Sequence, residues 1–276
     1  MKDIYTLMSK RRSGLAFHKR AYNRCCRRPI CPEFTLINIE DIATLNNGNI
    51  WFLNKDTFIL TCQLLIIPLN TELQTNAFTL TNNGTINIFA GGSIRNADSF
   101  NMGDINYRTI NNGTINIFAG GGIEVVDSDT NQFINNGIVN NKGVIVTQFG
   151  GICINNSSGR IINTSGGEIL NNFSIITNFG IIENNTGCFI NNNNNGEFYN
   201  KNIGKIFNTG GIINNAGGYR FINDGIIFNN NGGTIDTRGS IFTNNGTIQN
   251  SLIGSLCGIG TLIGIITGGT IGNLCS

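Results

Sequence analysis

The sequence predicts an all-β fold: a right-handed parallel β-helix, a three-sided solenoid with about 22 residues per coil, preceded by a basic N-terminal arm. Composition, a period near seven and the residue type at one fixed place in that period lead to it. Among 276 residues, 48 are Asn, 46 Ile and 37 Gly, against 3 Pro, 1 His and 1 Trp. Ile favours a packed, pleated surface, whereas Asn and Gly accept the positive φ angles of tight corners. Many short strands joined by tight corners follow.

The repeat is visible directly. Thr81–Ile94, "TNNGTINIFAGGSI", matches Ile110–Ile123, "INNGTINIFAGGGI", at 12 of 14 positions. Further on, sixteen anchors precede apolar pairs: Gly137, Gly143, Gly151, Gly159, Gly167, Ser174, Gly180, Gly187, Gly196, Gly204, Gly211, Gly217, Gly225, Gly233, Gly239 and Gly246. They span 109 residues in 15 intervals of 6 to 9, a mean near 7.3. Two residues beyond each anchor stands an apolar or aromatic side chain, from Val139, Ile145 and Cys153 through Phe189, Phe198, Tyr219 and Ile241 to Ile248.

A seven-residue unit is too short for a helix and its connection, and lacks a 3.6-residue period. It suits a strand of three to five residues with a short corner, and three units close one coil. Parallel strands joined by crossovers wind right-handed. A left-handed hexapeptide helix fits the irregular intervals poorly. Stacked Ile should fill the interior, and Asn amides stacked at the corners should hydrogen-bond along the axis.

In chain order, residues 1–33 form a basic, Cys-containing arm, 34–80 an N-terminal cap and first coil, 81–250 the repeats, and 251–276 an apolar Gly-rich coil or cap. The run Phe58–Pro68, "FILTCQLLIIP", is expected to form the first coil. The segment 252–274 is long enough to span a bilayer, yet "GTLIG" and "GGTIGN" continue the repeat phrase and point to a final coil.

Nine of the 18 basic residues lie in the first 28 positions. Lys10, Arg11, Arg12, Lys19, Arg20, Arg24, Arg27 and Arg28 are the expected contacts for an anionic partner, either nucleic acid or a charged surface. No apolar run of signal-peptide type follows them, so no secretory signal peptide is expected. Cys25, Cys26 and Cys31 cluster among the arginines without the second ligand pair a zinc site needs, and the only histidine is His18. Eight cysteines without even spacing do not suggest a disulfide scaffold.

No catalytic constellation stands out, and no cofactor or metal site is expected. Ser-His-Asp and Cys-His arrangements are absent, and the Gly-rich strings lack a phosphate-loop Lys. The acids are scattered. Glu124, Asp127 and Asp129 come closest, in "GIEVVDSDTNQF", a stretch that reads as a loop outside the repeat. A carbohydrate-active, pectate-lyase-like enzyme would require Asp98, Asp104, Asp127 and Asp129 to converge in space.

The phrases "FTLTNNGTINI", "INNGTINI", "FINNGIVNNKGVI" and "FTNNGTIQN" resemble the Asn-rich "NNGTI" repeat β-helix proteins of large AT-rich DNA viruses, and bacterial adhesin-like β-helices. The lead-in "LLIIPLNTELQTNAFTLTNNGTI" is similar to the one such proteins place before their first coils. The resemblance covers about 58–250 and implies a non-enzymatic structural, surface or attachment role. It carries over no catalytic residues. Expected partners are copies of the chain itself, virion proteins, a glycan or a receptor.

Overall fold

The computed structural model describes residues 31, 33–97, 107–215, 217, 220–238, 240–251, 253–258, 261–262, 265–268 and 270–271. From Thr35 onward the chain is a β-solenoid of three parallel sheets, with 11, 10 and 12 strands, and the described residues hold no α-helix. Nine successive coils run from Thr57–Ile59 to Ser255–Cys257, three strands to a coil. We call the sheet holding the strand that opens each coil the first face, and the next two the second and third.

The coils stack in strict register. On the second face Thr85 pairs with Thr114, Ile86 with Ile115, Asn87 with Asn116 and Ile88 with Ile117. The duplicated phrase is therefore two coils lying one on the other. Its 29-residue offset exceeds the other steps, such as 22 from Ile138 to Arg160 and 21 from Arg160 to Ile181, because eleven residues separate the strands Ser93–Asn96 and Arg108–Asn111.

Alternation along each strand decides what faces inward. In Thr114–Ile117 the pattern is half-buried, buried, half-buried, buried, and Ile115 and Ile117 are sealed from solvent. The interior is lined by Ile stacks, interrupted on the first face by Phe133 and by Phe198, Phe221 and Phe242. Phe198 and Phe221 stack with centroids 4.6 Å apart, and Phe242 follows at 5.3 Å from Phe221. Each fully buried Ile or Phe contributes roughly 1.5–3 kcal/mol.

Asparagine behaves differently from the corner role expected of it. One set does occupy corners, but a second lies wholly inside, at the end of a strand. On the first face Asn82, Asn111, Asn135, Asn155, Asn178, Asn200, Asn223 and Asn244 form an unbroken ladder, each Nδ2 donating to the next Oδ1 at 2.6–2.8 Å. A second ladder runs through Asn141, Asn163, Asn184, Asn208, Asn229 and Asn250. A third joins Thr147, Asn171, Asn192, Asn215 and Ser240.

These amides are satisfied on every side. The Asn141 Nδ2 also donates to the Glu168 carbonyl, and its Oδ1 accepts from the Gly143 backbone N–H. A buried amide without partners would cost several kcal/mol, so an interior this polar needs all of these bonds. Corner glycines meet a separate demand: a Cβ on Gly113 would collide with the Gly84 carbonyl, and one on Gly137 with that of Gly113.

Of the sixteen positions expected to face inward, thirteen are buried and two need correction. Phe189 and Ile241 point outward, and the core is filled by Ile190 and Phe242 beside them. At the first of these, Gly187 adopts φ +74 and Cys188 takes the place before the strand that a corner glycine usually holds, which shifts the phase by one. Tyr219 lies outside the described residues.

The run Phe58–Pro68 supplies two strands of the first coil, Thr57–Ile59 and Gln63–Ile67, and Glu72–Gln74 beyond it completes the coil. Before it, Thr35–Ile37 adds to the second face, and a hairpin of Ala43–Asn47 and Ile50–Leu53 closes the third with an antiparallel pair. At the far end Ile265–Thr267 and Thr270–Ile271 extend two of the sheets, and no helix among the described residues is long and apolar enough to cross a membrane.

The cysteines correct the expectation that disulfides play no part. Cys31, Cys62 and Cys257 are disulfide-bonded, while Cys153 and Cys188, inside the stack, are free and buried. Cys25 and Cys26 lie outside the described residues.

Candidate functional site

With the interior filled, any site must be built from outward-facing side chains and corners. A regular outward surface runs along the second face from the second coil to the fifth, beginning where the duplicated phrase stacks. Four columns of side chains emerge there. Asn83, Asn112, Asn136 and Asn156 form an outer amide ladder at the corner, with bonds of 2.9, 2.9 and 2.7 Å. Thr85 and Thr114 stand next to it. A second outer ladder joins Asn87, Asn116 and Asn140 at 2.8 Å per step. Phe89 and Phe118 close the lattice, stacked at 4.8 Å with planes 6° apart.

The spacing follows from the fold. Alternate residues of one strand emerge about 7 Å apart, and equivalent residues of successive coils about 4.8 Å apart. The patch is uncharged, rich in hydrogen-bond donors and acceptors, and edged by two aromatic rings. Chemically it can accept and donate hydrogen bonds and present a ring face. The phrase holds no acid, base or nucleophile for covalent work.

A charged column lies on the third face. Arg95 sits between Glu72, at 3.9 Å, and Glu124, at 4.0 Å, in three successive coils. Burial pushes the Glu124 carboxyl above its ordinary range, Arg95 opposes that, and Glu72 adds to it. Sequence reading placed Glu124 in a loop with Asp127 and Asp129. The structure instead puts it on the strand Gly122–Val125, paired with a residue 29 positions away, while Asp127 and Asp129 stand exposed in the following corner. Only the 29-residue offset of the repeat, carried on to Arg95 and Glu124, signalled this contact.

The other predicted positions are simply located. Asp98 and Asp104 lie outside the described residues, as do Lys10, Arg11, Arg12, Lys19, Arg20, Arg24, Arg27 and Arg28 and the lone His18. Among the described residues no group of three or more His, Cys, Asp or Glu side chains is placed to hold a metal ion.

Comparison with known proteins adds little. No protein-family model and no curated protein sequence matches the chain. Among solved structures, the crystal structure of a TibC-catalysed, hyper-glycosylated TibA fragment (residues 55–350) is similar, covering 86% of this chain and 96% of that one at 16% identity with a TM-score of 0.29. A superposition this loose carries no weight for function.

Proposed function

We propose that the chain is a non-enzymatic structural or attachment protein, a stiff solenoid that displays a binding face rather than a reactive centre. The observation that carries this reading is the uncharged lattice of Asn83, Asn112, Asn87, Asn116, Thr85, Thr114, Phe89 and Phe118. Its fixed columns suit a repetitive neutral ligand, a glycan or a glycosylated receptor, which offers hydroxyls to amides and C–H faces to rings. The virion is the setting we favour, with the basic arm holding an anionic partner such as nucleic acid.

The test is binding of the purified chain to an array of immobilised neutral glycans, repeated with Asn116→Leu and Phe118→Ala. Binding by the native chain that both substitutions weaken supports the reading. Release of new reducing ends from a polysaccharide by the native chain overturns it, as does retention unchanged by both substitutions.

A further inference from the structure

The first face differs from the other two. The second displays Arg160, Glu183 and Lys205 on successive coils, and the third Glu72, Arg95, Glu124, Glu168 and Asp236, whereas the first holds Arg108, Glu197 and Arg220 and leaves the three coils between Arg108 and Glu197 without an outward charge. Its middle is aliphatic: Ile110, Ile134, Ile152, Ile154 and Ile175 emerge side by side from four successive coils. All five are half-buried by their neighbours in the sheet and offer one flat surface.

The corner beside this patch carries a second anomaly. Phe149 and Phe173 precede the strands that start at Ile152 and Ile175, and they stack at 6.2 Å, 60% and 48% exposed. Both adopt φ +52, the left-handed region. One coil further along, Asn194 and Asn195 fill the same corner with positive φ, at the lower cost expected of Asn. Two phenylalanines that are both strained and exposed destabilise the isolated chain, and such outliers point to a surface that is covered in use.

We infer that the first face is the interface of an antiparallel homodimer, two copies packed face to face about a two-fold axis lying along the strand Ile152–Asn155. That inference is independent of what the second face binds. The charges set the arrangement. An axis along this strand keeps each strand position opposite its equivalent and reverses the order of coils, so the coil two before it meets the coil two after it. Arg108 opens the former and Glu197 the latter, and each therefore faces its opposite in the partner copy.

Other registers do worse. An axis one half-step further on sets Arg108 against Arg220, and a parallel arrangement sets Arg108 against Ile110. Among the described residues the Arg108 Nε makes no hydrogen bond. At the centre Ile152 and Ile154 meet their own counterparts, and Phe149 covers Phe149.

The area suffices. Nine strands at about 4.8 Å, each four residues at about 3.3 Å, make a flat footprint of roughly 40 by 13 Å. Pleated side chains and the phenylalanine edge raise the accessible area buried per copy toward the ~800 Å² of a standard interface. Sheets packed this way lie about 10 Å apart with strands nearly aligned, which two copies related by this axis satisfy.

The test is the solution mass of the full chain by light scattering at tens of micromolar, with circular dichroism confirming that each variant keeps its β-structure. The native chain should have twice the chain mass, and Ile154→Glu the mass of one chain. Arg108→Glu and Glu197→Arg, both at surface positions, should each weaken dimerisation by about tenfold or more, and the double swap should restore it. A monomeric native chain overturns the inference, as does a dimer indifferent to the swaps. A glycan array result does not bear on it, so the two proposals fail separately.

Discussion

Asn111 and Asn135 lie one coil apart in the buried first-face ladder, and the amide Nδ2 of Asn111 donates to the Oδ1 of Asn135 at 2.8 Å. The same Nδ2 donates to the Ile138 carbonyl, while Asn135 passes its own Nδ2 on to Asn155 at 2.8 Å. Removing one amide therefore leaves two neighbours short of a partner. Asn135→Ala should cost about 2–4 kcal/mol in urea unfolding. Asn136→Ala, one residue on in the outer ladder, should cost less than about 0.5 kcal/mol. Equal costs would show that the inner ladder does no more than the outer one.

Phe221 lies between Phe198 and Phe242, so Phe221→Ala opens a cavity with a stacked ring on either side. A loss of about 3–5 kcal/mol is expected. Each coil touches only its neighbours, so the effect should be local. Hydrogen exchange should speed up most between Glu197 and Asn250 and least in the first three coils.

The Glu124 carboxyl is held above its ordinary value of 4.5, chiefly by desolvation. The folded chain thus binds this proton more tightly than the unfolded chain. Stability is fullest below pH 4.5 for this group and declines as pH rises from there through the raised folded value. Glu124→Gln should flatten that decline, read from melting temperatures between pH 4 and pH 7. A decline of unchanged slope would assign it to other groups.

Burial pushes the Cys153 thiol up to about 12, so its thiolate is scarce at neutral pH. Iodoacetamide should leave Cys153 and the equally buried Cys188 unlabelled in the folded chain and label both in denaturant without reductant. Cys31, Cys62 and Cys257 should label only after reduction. Labelling of Cys153 in the native chain would mean that the coil around it opens readily.

The solenoid was legible because its period is written in residue types that physics ties to places: Ile to the inside of a strand, Gly to the crowded corner. Ile115, Ile161 and Ile227 could be placed inside before any coordinates existed. The interior role of Asn111 could not, because Asn is expected at turns and nothing local distinguishes it from Asn112 beside it. Only stacking separates them, since the inner amide is tolerable once both neighbours are amides too. Phe189 was misplaced because glycine marks both the crowded corner and a left-handed turn, and Gly187 is the latter. The pairing of Arg95 with Glu124 escaped for a related reason: a charge has no period of its own, and its partner lay a whole coil away. The residues of the outer lattice all lie in Thr81–Ile94 and its duplicate, but its columns appear only once coils are laid on each other.

One consequence of the ladders concerns the two ends of the solenoid. In all three buried ladders the N–H groups point toward the C-terminal coils, so every amide dipole adds to the next. The outer ladders of Asn83–Asn156 and Asn87–Asn140 point the other way, but they end at the fifth and fourth coils. The solenoid is therefore electrically polar along its length, carbonyl-ended toward the first coil and N–H-ended toward the last, as a helix is polar for the same reason. A bound anion would be drawn to the last coils, and two such dipoles lying side by side have lower energy head to tail.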